Sequence, residues 1–585
     1  MKLLLTLLLK LGRKRKYQLF FLLILSLASA FSELISLGAV VPFLAALSDT
    51  DSSKNSAIFN FFITNIPFLS QFDVILASCL IFAGTSVFAS IIRGFNLWAN
   101  QKTAAVIGHD ISKMAYSSIL HQRYLFFTQN NSSEYVNILI AQINRTVVGL
   151  SSFLQLITSS VVSVSILLAI TLSDIRISFS LVFIFGFSYL FILSFLKNKL
   201  VRSSAIIASS SKAQIKSVQE SLSTIRPIIV DKAYSYFEND YQLSDKKLRS
   251  AYALNNISAF MPRFILESLS IAYISSLGYW LVTNGYTNSE VLSILGLLAL
   301  GSQRLLPSVQ QIYSSWAQIK SFTSDFNGVL GALSLPIPEH SSLIADIKNS
   351  STFNSIEFKN ISFTYPNSLS PALQSVNLTI DRGDRVALIG KTGSGKSTIL
   401  DILLGLLPIN AGSFSVNIDN NIISSYQLPD NWCNLISYVP QRIFLIDKTI
   451  LENVAFGVPL IEIDFNLVVE CCKVAQISSF IDSLNENYYT KVGEDGVLLS
   501  GGQIQRIGIA RALYKKSQII VLDEATSALD QSTEKNLMES IYHLNRNITF
   551  VIVAHRLSTL RPCNKVYEMQ DRGILRSIDP SKLFD

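Results

Sequence analysis

Six apolar segments in the first 312 residues constrain this chain more than any other feature it has. They lie near residues 18–47, 74–98, 151–173, 177–196, 262–283 and 289–312. About 20 helical residues cross a hydrocarbon core of about 30 Å, and every one of these runs is long enough. Inside lipid a helix lets each backbone N–H and C=O bond within its own segment. The first half is therefore expected to be a membrane α-helical domain of six spans. The composition agrees. Of 585 residues, 49% are hydrophobic and only 15% charged, and the mean hydropathy of +0.38 exceeds that of ordinary soluble chains. The formal net charge of +7 could suggest a nucleic-acid partner. None is expected, because the basic residues flank apolar runs instead of forming one face.

The Lys/Arg bias orients the spans. Arg13 to Lys16, Lys102, Lys113, Arg123, Arg145 and the series from Lys197 to Arg249 fall on one side, while the other carries little beyond Lys54 and Arg176. Both termini are expected in the cytoplasm. At the start, Leu3 to Leu9 precede Arg13-Lys14-Arg15-Lys16, the reverse of a signal peptide's order. Residues 1–16 are read as an amphipathic elbow helix on the cytoplasmic surface, and 17–330 as the transmembrane domain. Its two long cytoplasmic connections have few Gly or Pro breakers, so spans should continue as helices beyond the bilayer. The external segment 48–73, with Phe59, Phe61 and Phe62, is expected to form a short helix. A Pro-containing linker, 331–352, leads to an α/β domain at 353–585. The cysteines number five, with no C-x-x-C pair, so neither a disulfide framework nor a zinc site is expected.

Within 353–585, the strand Arg385 to Gly390 runs into Gly390-Lys391-Thr392-Gly393-Ser394-Gly395-Lys396-Ser397-Thr398, followed by the apolar helix residues Ile399, Leu400, Ile402 and Leu403. Glycines let backbone N–H groups turn onto phosphates, and the helix N-terminus adds positive potential. Lys396 should reach the β- and γ-phosphates of ATP, and the Ser397 hydroxyl should bind Mg²⁺. A second strand, Ile519 to Leu522, ends in Asp523-Glu524, where α/β sheets put ligands. Asp523 is expected to hold Mg²⁺ through water, and Glu524 to act as the base for the attacking water. Two acids after a strand could equally start a helix; the P-loop favours the functional reading.

Leu499-Ser500-Gly501-Gly502-Gln503, followed by Gln505-Arg506, resembles the signature of ATP-binding-cassette (ABC) transporters and precedes Asp523 at the family's spacing. Other landmarks resemble that family too. Tyr365 looks like its adenine-stacking aromatic, and Gln441 like the glutamine that senses Mg²⁺ and water. Ser527-Ala528-Leu529-Asp530 looks like its D-loop, and His555 like its switch histidine. Val492 to Gly496 resembles the loop specific to exporters. The resemblance covers the whole chain and implies an exporter half-transporter: six spans of the type-1 ABC transmembrane fold, plus one P-loop NTPase cassette. It implies a homodimer, or a heterodimer with a related chain, in which Ser500 and Gly502 of one copy contact the ATP held by the other. It also implies ATP hydrolysis driving transport in a bacterial cytoplasmic (inner) membrane.

Ionisable residues inside spans usually face a cavity. Arg93, Arg263, Arg304 and Glu267 are the candidates here, alongside Glu33; the competing reading is snorkelling, or an ion pair such as Arg with Glu267. Ile92-Arg93-Gly94, Met261 to Glu267 and Gln303 to Ser308 resemble bacterial lipid-linked oligosaccharide flippases, whose cavity arginines receive a pyrophosphate head group. Arg suits that task through its charge and bidentate geometry. A glycolipid or other lipid cargo is the resulting expectation. The alternatives are a multidrug or lipid exporter of the same architecture, an ATP-gated channel, or a peptide exporter.

Overall fold

The computed structural model describes residues 2–9, 12–48, 57–173, 175–286, 288–337, 352–366, 368–425, 430–544, 547–553, 561–570 and 573–580. Contacts divide the chain into two units, one of residues 1–122 and 126–337, the other of 123–125 and 338–585. His555 and the 338–351 part of the linker fall outside the described residues.

Every secondary-structure element described in the first unit is a helix. Its first apolar segment forms Arg13–Gly38 and then Val40–Ser48. The break at Ala39 precedes Pro42, which has no N–H to continue the ladder and so belongs in a first turn. The second segment lies within Val74–Leu120, the third within Ile143–Ser173, and the fifth within Tyr234–Thr283. The fourth and sixth lie on Ile175–Ser223 and Asn288–Ser321. At 1.5 Å per residue the 47-residue helix Val74–Leu120 is about 70 Å long, more than twice a hydrocarbon core. Among the described residues, four helices are long and apolar enough to cross a membrane. Ala57–Asn65 forms a short helix between the first two spans.

Small and polar residues hold these helices together, as expected where lipid removes most of the hydrophobic drive between spans. Gly108 lies so close to Val147 that a Cβ there would come within 2.3 Å of it. Buried Ser26 bonds Thr158 at 2.9 Å, and Asn100 reaches both Thr158 (3.3 Å) and Asn96 (3.0 Å), joining three helices. Pro262 lies inside the fifth helix, and Gln310 of the sixth donates to the nearby Ala259 carbonyl at 2.8 Å. A neighbouring helix thus serves backbone that the proline disturbs.

The second unit carries two sheets. An antiparallel one has the order β2-β1-β4-β5, with β1 Phe353–Phe363, β2 Leu373–Asp381, β4 Ala411–Ile418 and β5 Asn421–Ser425. The other has the order β10-β9-β3-β8-β7-β6. Its parallel strands are β3 Arg385–Gly390, β6 Ile436–Val439, β7 Ile519–Asp523, β8 Thr549–Val553 and β9 Lys565–Gln570. β10, Ile574–Ile578, pairs antiparallel at the edge. β7 and β8 read as nearly uninterrupted apolar runs because both faces are covered, one by helices, the other by the P-loop helix and the antiparallel sheet. Cys471, Cys472 and Cys563 are buried in this unit. Burial pushes their thiols up to about 11, 12 and 12, so they act as packing groups and not as nucleophiles.

Candidate active site

β3 is flanked by β8 and β9, and the turn leaving its C-terminal end is the P-loop. Gly390, Gly393 and Gly395 have φ of +143°, +80° and +108°. A Cβ on Gly390 would sit 2.4 Å from the Met569 carbonyl oxygen, so this position excludes every side chain. The loop ends at the helix Lys396–Leu403. The Lys396 ammonium folds back onto the carbonyls of Gly390 (2.6 Å) and Lys391 (2.9 Å), which hold it over the loop. Burial lowers its pKa, and the opposing pull of Glu524 and Asp523 favours the cation. Ser394 is buried, and among the described residues its hydroxyl has no hydrogen-bond partner. A phosphate oxygen in the loop would supply one.

A cleft of 890 Å³ opens beside the loop. Its walls include Tyr365, Thr392 to Thr398, Gln441, Asp523 and Glu524. Consecutive residues of a strand face opposite ways, so two adjacent acids would not normally share one cleft. Here Glu524 takes a left-handed backbone with φ +48°, tied by its N–H to the Val553 carbonyl at 3.0 Å. That turn brings Asp523 and Glu524 to the same cavity, at a cost of about 1–3 kcal/mol in backbone strain. The Glu524 carboxylate accepts from Gln441 Nε2 at 2.7 Å, and Asp523 accepts from the Tyr438 hydroxyl at 3.3 Å. Burial raises the pKa of Asp523, offset in part by the Tyr438 hydrogen bond. Ser397, Gln441 and Asp523 offer hydroxyl, amide and carboxylate oxygens to one cleft, the donor set a hard cation such as Mg²⁺ requires. Tyr365 lines the cleft as well, its hydroxyl 3.3 Å from Thr398 Oγ1.

The signature residues are held differently. Ser500 caps the helix Gly501–Tyr514 in a reciprocal capping box with Gln503, and neither lines the cleft. Gln505 on the same helix is buried. Its amide donates to the Ser527 hydroxyl (3.1 Å) and accepts from the Ala528 N–H (3.0 Å). Gly502 would press any Cβ to 3.2 Å from Leu529. Signature helix and D-loop thus form one braced piece. Asp530 in turn caps the helix Gln531–Leu544, accepting from the Thr533 N–H at 2.9 Å.

Residues 373–527 match the family described as "ABC transporter". The chain is 28% identical, over 83% of its own length and 83% of the relative's, to a putative multidrug export ATP-binding/permease protein, YgaD, of Bacillus subtilis. It is 33% identical to an ATP-dependent lipid A-core flippase of Idiomarina loihiensis, over half of each chain. The flippase of Salmonella typhimurium is 39% identical over 38% of this chain and 37% of its own. A bacterial Atm1-family ABC exporter solved with ATP bound shares the fold, with TM-score 0.77, 20% identity and coverage of 98% and 96% of the two chains. This chain is an ABC exporter half-transporter. It is a multi-pass membrane protein that binds ATP and couples its hydrolysis to transport.

Two residues of the half-transporter's ATPase site were not singled out from sequence. Asp401, on the P-loop helix, has its pKa raised to about 6, first by burial and then by Asp523. Tyr438 rises too, for the same leading reason. A lone acid in the apolar run Ile399 to Leu404 was the available signal for Asp401.

The membrane unit separates the four cavity candidates into two groups. Arg304 Nη1 meets Glu33 Oε1 at 3.0 Å, and its guanidinium also donates to Ser36 (3.0 Å) and Ser86 (3.3 Å). Arg93 Nε lies 3.6 Å from the other oxygen of Glu33, whose side chain is fully buried. Arg263 and Glu267 instead pair with each other along one helix at 3.9 Å, both more than half exposed. Glu33, not Glu267, is therefore the partner of Arg304, because helix packing brings the first and sixth spans together.

Proposed function

We propose that the chain works as a homodimer that hydrolyses Mg²⁺-ATP and flips a lipid-linked oligosaccharide, or a related polyprenyl-pyrophosphate glycolipid, across a bacterial cytoplasmic membrane, with both termini cytoplasmic. One observation carries the dimer: Lys396, Asp523 and Glu524 line a cleft to which residues 499–503 of the same chain contribute nothing. A second copy would supply Ser500 and Gly502, with the helix N-terminus of Gly501–Tyr514 directed at the γ-phosphate.

In this mechanism Gln441 and Glu524 hold the attacking water. Glu524 accepts its proton as the oxygen bonds to the γ-phosphorus, and the bond to the bridging oxygen breaks to give ADP and phosphate. Lys396 and the loop N–H groups neutralise the charge that builds on the phosphoryl oxygens. Mg²⁺, held by Ser397 and Asp523 with Gln441, would supply further charge stabilisation. His555 would hold Glu524 and the γ-phosphate. ATP-bound and released cassettes then bias the two access states of the membrane half.

For the cargo, two arginines face one buried carboxylate, Glu33, so the cluster has a cationic excess suited to a phosphate head group. The lipid A-core flippases among the relatives also act on a lipid. The name of the Bacillus relative favours a second reading, a multidrug exporter. Reconstitution in liposomes separates the two. Polyprenyl-pyrophosphate oligosaccharide should be flipped with ATP, and not by Glu524→Gln. Movement of a drug or phospholipid without flipping of the oligosaccharide would overturn the assignment.

A further inference from the structure

The helices Arg13–Gly38 and Val74–Leu120 pack against each other, and a groove of 450 Å³ marks each end of their seam. The two grooves differ in charge. Among the described residues, the one near Ser32, Phe61, Ile81 and Phe88 has no charged residue in its lining. The other has aromatic walls from Tyr17, Phe21, Phe95 and Trp98, and carries Lys14 and Lys102. The Phe95 and Trp98 rings stack at 5.6 Å and 23°, making one flat apolar wall. Both rings are about half exposed or more. Neighbouring Arg15 is tied to Asp110 at 2.6 Å. Among the described residues, neither Lys14 nor Lys102 has such a partner.

Lysines at the end of a span lay their methylene stems on apolar surface and lift the ammonium to head-group depth. The Lys/Arg bias puts this end of the seam on the cytoplasmic side, where the leaflet is anionic. A ligand that fits must be apolar along its length and negative at one end. We propose that this groove holds one anionic glycerophospholipid of the cytoplasmic leaflet, its phosphate between Lys14 and Lys102 and an acyl chain along Phe95 and Trp98. This lipid is distinct from the cargo, and the site stands whatever the cargo is. The groove at the opposite end serves as an internal contrast, because it shares the helix seam and the size but, among the described residues, lacks the cations.

Quenching of Trp98 tests the assignment. The full chain is placed in phosphatidylcholine vesicles that contain a minority of lipid with dibrominated acyl chains, and the Trp98 signal is taken as the difference from Trp98→Phe. Dibrominated phosphatidylglycerol should quench that signal several-fold more than dibrominated phosphatidylcholine. In Lys14→Ala/Lys102→Ala the two lipids should quench equally, while Lys246→Ala/Lys247→Ala, which removes the same charge elsewhere, should keep the preference. Equal quenching by both lipids in the unaltered chain would overturn the site. So would an absence of quenching by either, which would mean that protein, such as a second copy, covers the groove.

Discussion

Replacing Arg304 by Gln should cost the membrane half about 3 kcal/mol of stability, most of it recovered by replacing Glu33 at the same time. Glu33 is fully buried, and Arg304 meets it at 3.0 Å with Arg93 at 3.6 Å. With an effective dielectric of about 20, those separations correspond to attractions of about 5 kcal/mol each, before the opposing desolvation of the three groups. Removing one partner of a buried pair typically costs about 3–5 kcal/mol, because the other charge is left without compensation. Arg93 remains near the carboxylate, but it is 44% exposed on its side chain, and this places the loss at the lower end of that range. In Glu33→Gln/Arg304→Gln neither buried charge of that pair remains, and the amides can still bond Ser36 and Ser86. The coupling energy of the cycle should then be about 2 kcal/mol. Unfolding of the purified protein by increasing SDS fraction in mixed micelles, followed by circular dichroism, gives the four free energies. Arg263→Gln serves as the control and should change stability by less than about 0.5 kcal/mol, since its pair with Glu267 is more than half exposed and long at 3.9 Å. The reasoning fails if Arg304→Gln costs under about 1 kcal/mol, or if the double substitution costs the sum of the two singles. A positive result also bears on transport: a cargo phosphate at Arg304 would compete with Glu33 for the same guanidinium.

Gly390→Ala should abolish ATP binding, measured with a fluorescent nucleotide, because its Cβ would lie 2.4 Å from the Met569 carbonyl at a φ of +143°; binding within about twofold of the unaltered chain would remove the loop geometry from the argument. Gln505→Ala strips two hydrogen bonds from the D-loop, at 3.1 and 3.0 Å, and should lower the ATPase kcat by about tenfold, equivalent to about 1.4 kcal/mol, with KM for ATP little changed. An unchanged kcat would mean that the brace is incidental. Asp401 titrates near pH 6 in the folded, nucleotide-free protein against an ordinary 3.8, so it binds more protons folded than unfolded in that window. Its contribution to stability is fully present below about pH 4 and is lost as pH rises through 6. Asp401→Asn should accordingly melt higher than the unaltered chain at pH 7.5, and this advantage should shrink toward pH 4. A melting difference independent of pH would refute that account.

Much of the ATPase was legible because each of its parts is local in the chain. A strand, a Gly-rich turn and a helix follow one another within Arg385 to Leu403, and the loop's chemistry needs only that continuity. Asp523 was legible at the end of an apolar strand for the same reason. The shared orientation of Asp523 and Glu524 was not, since it depends on a left-handed residue anchored to Val553 in the next strand. Asp401 and Tyr438 escaped notice because their perturbed titration comes from burial beside Asp523, which sequence spacing does not report.

The length and hydropathy of the six apolar runs by themselves determined that the first half is helical and crosses a membrane, since lipid leaves the backbone no other partner. The order of short motifs likewise determined that the second half binds and hydrolyses ATP. Only the tertiary structure decided which charges meet. Arg304 and Glu33 are 271 residues apart and are joined because the first and sixth segments pack together. Arg263, by contrast, keeps the partner four residues along its own helix. Only the tertiary structure, too, leaves Ser500 off the lining of its own chain's cleft. Spacing along a helix or strand reports neighbours within an element, whereas the choice among distant partners is made by packing.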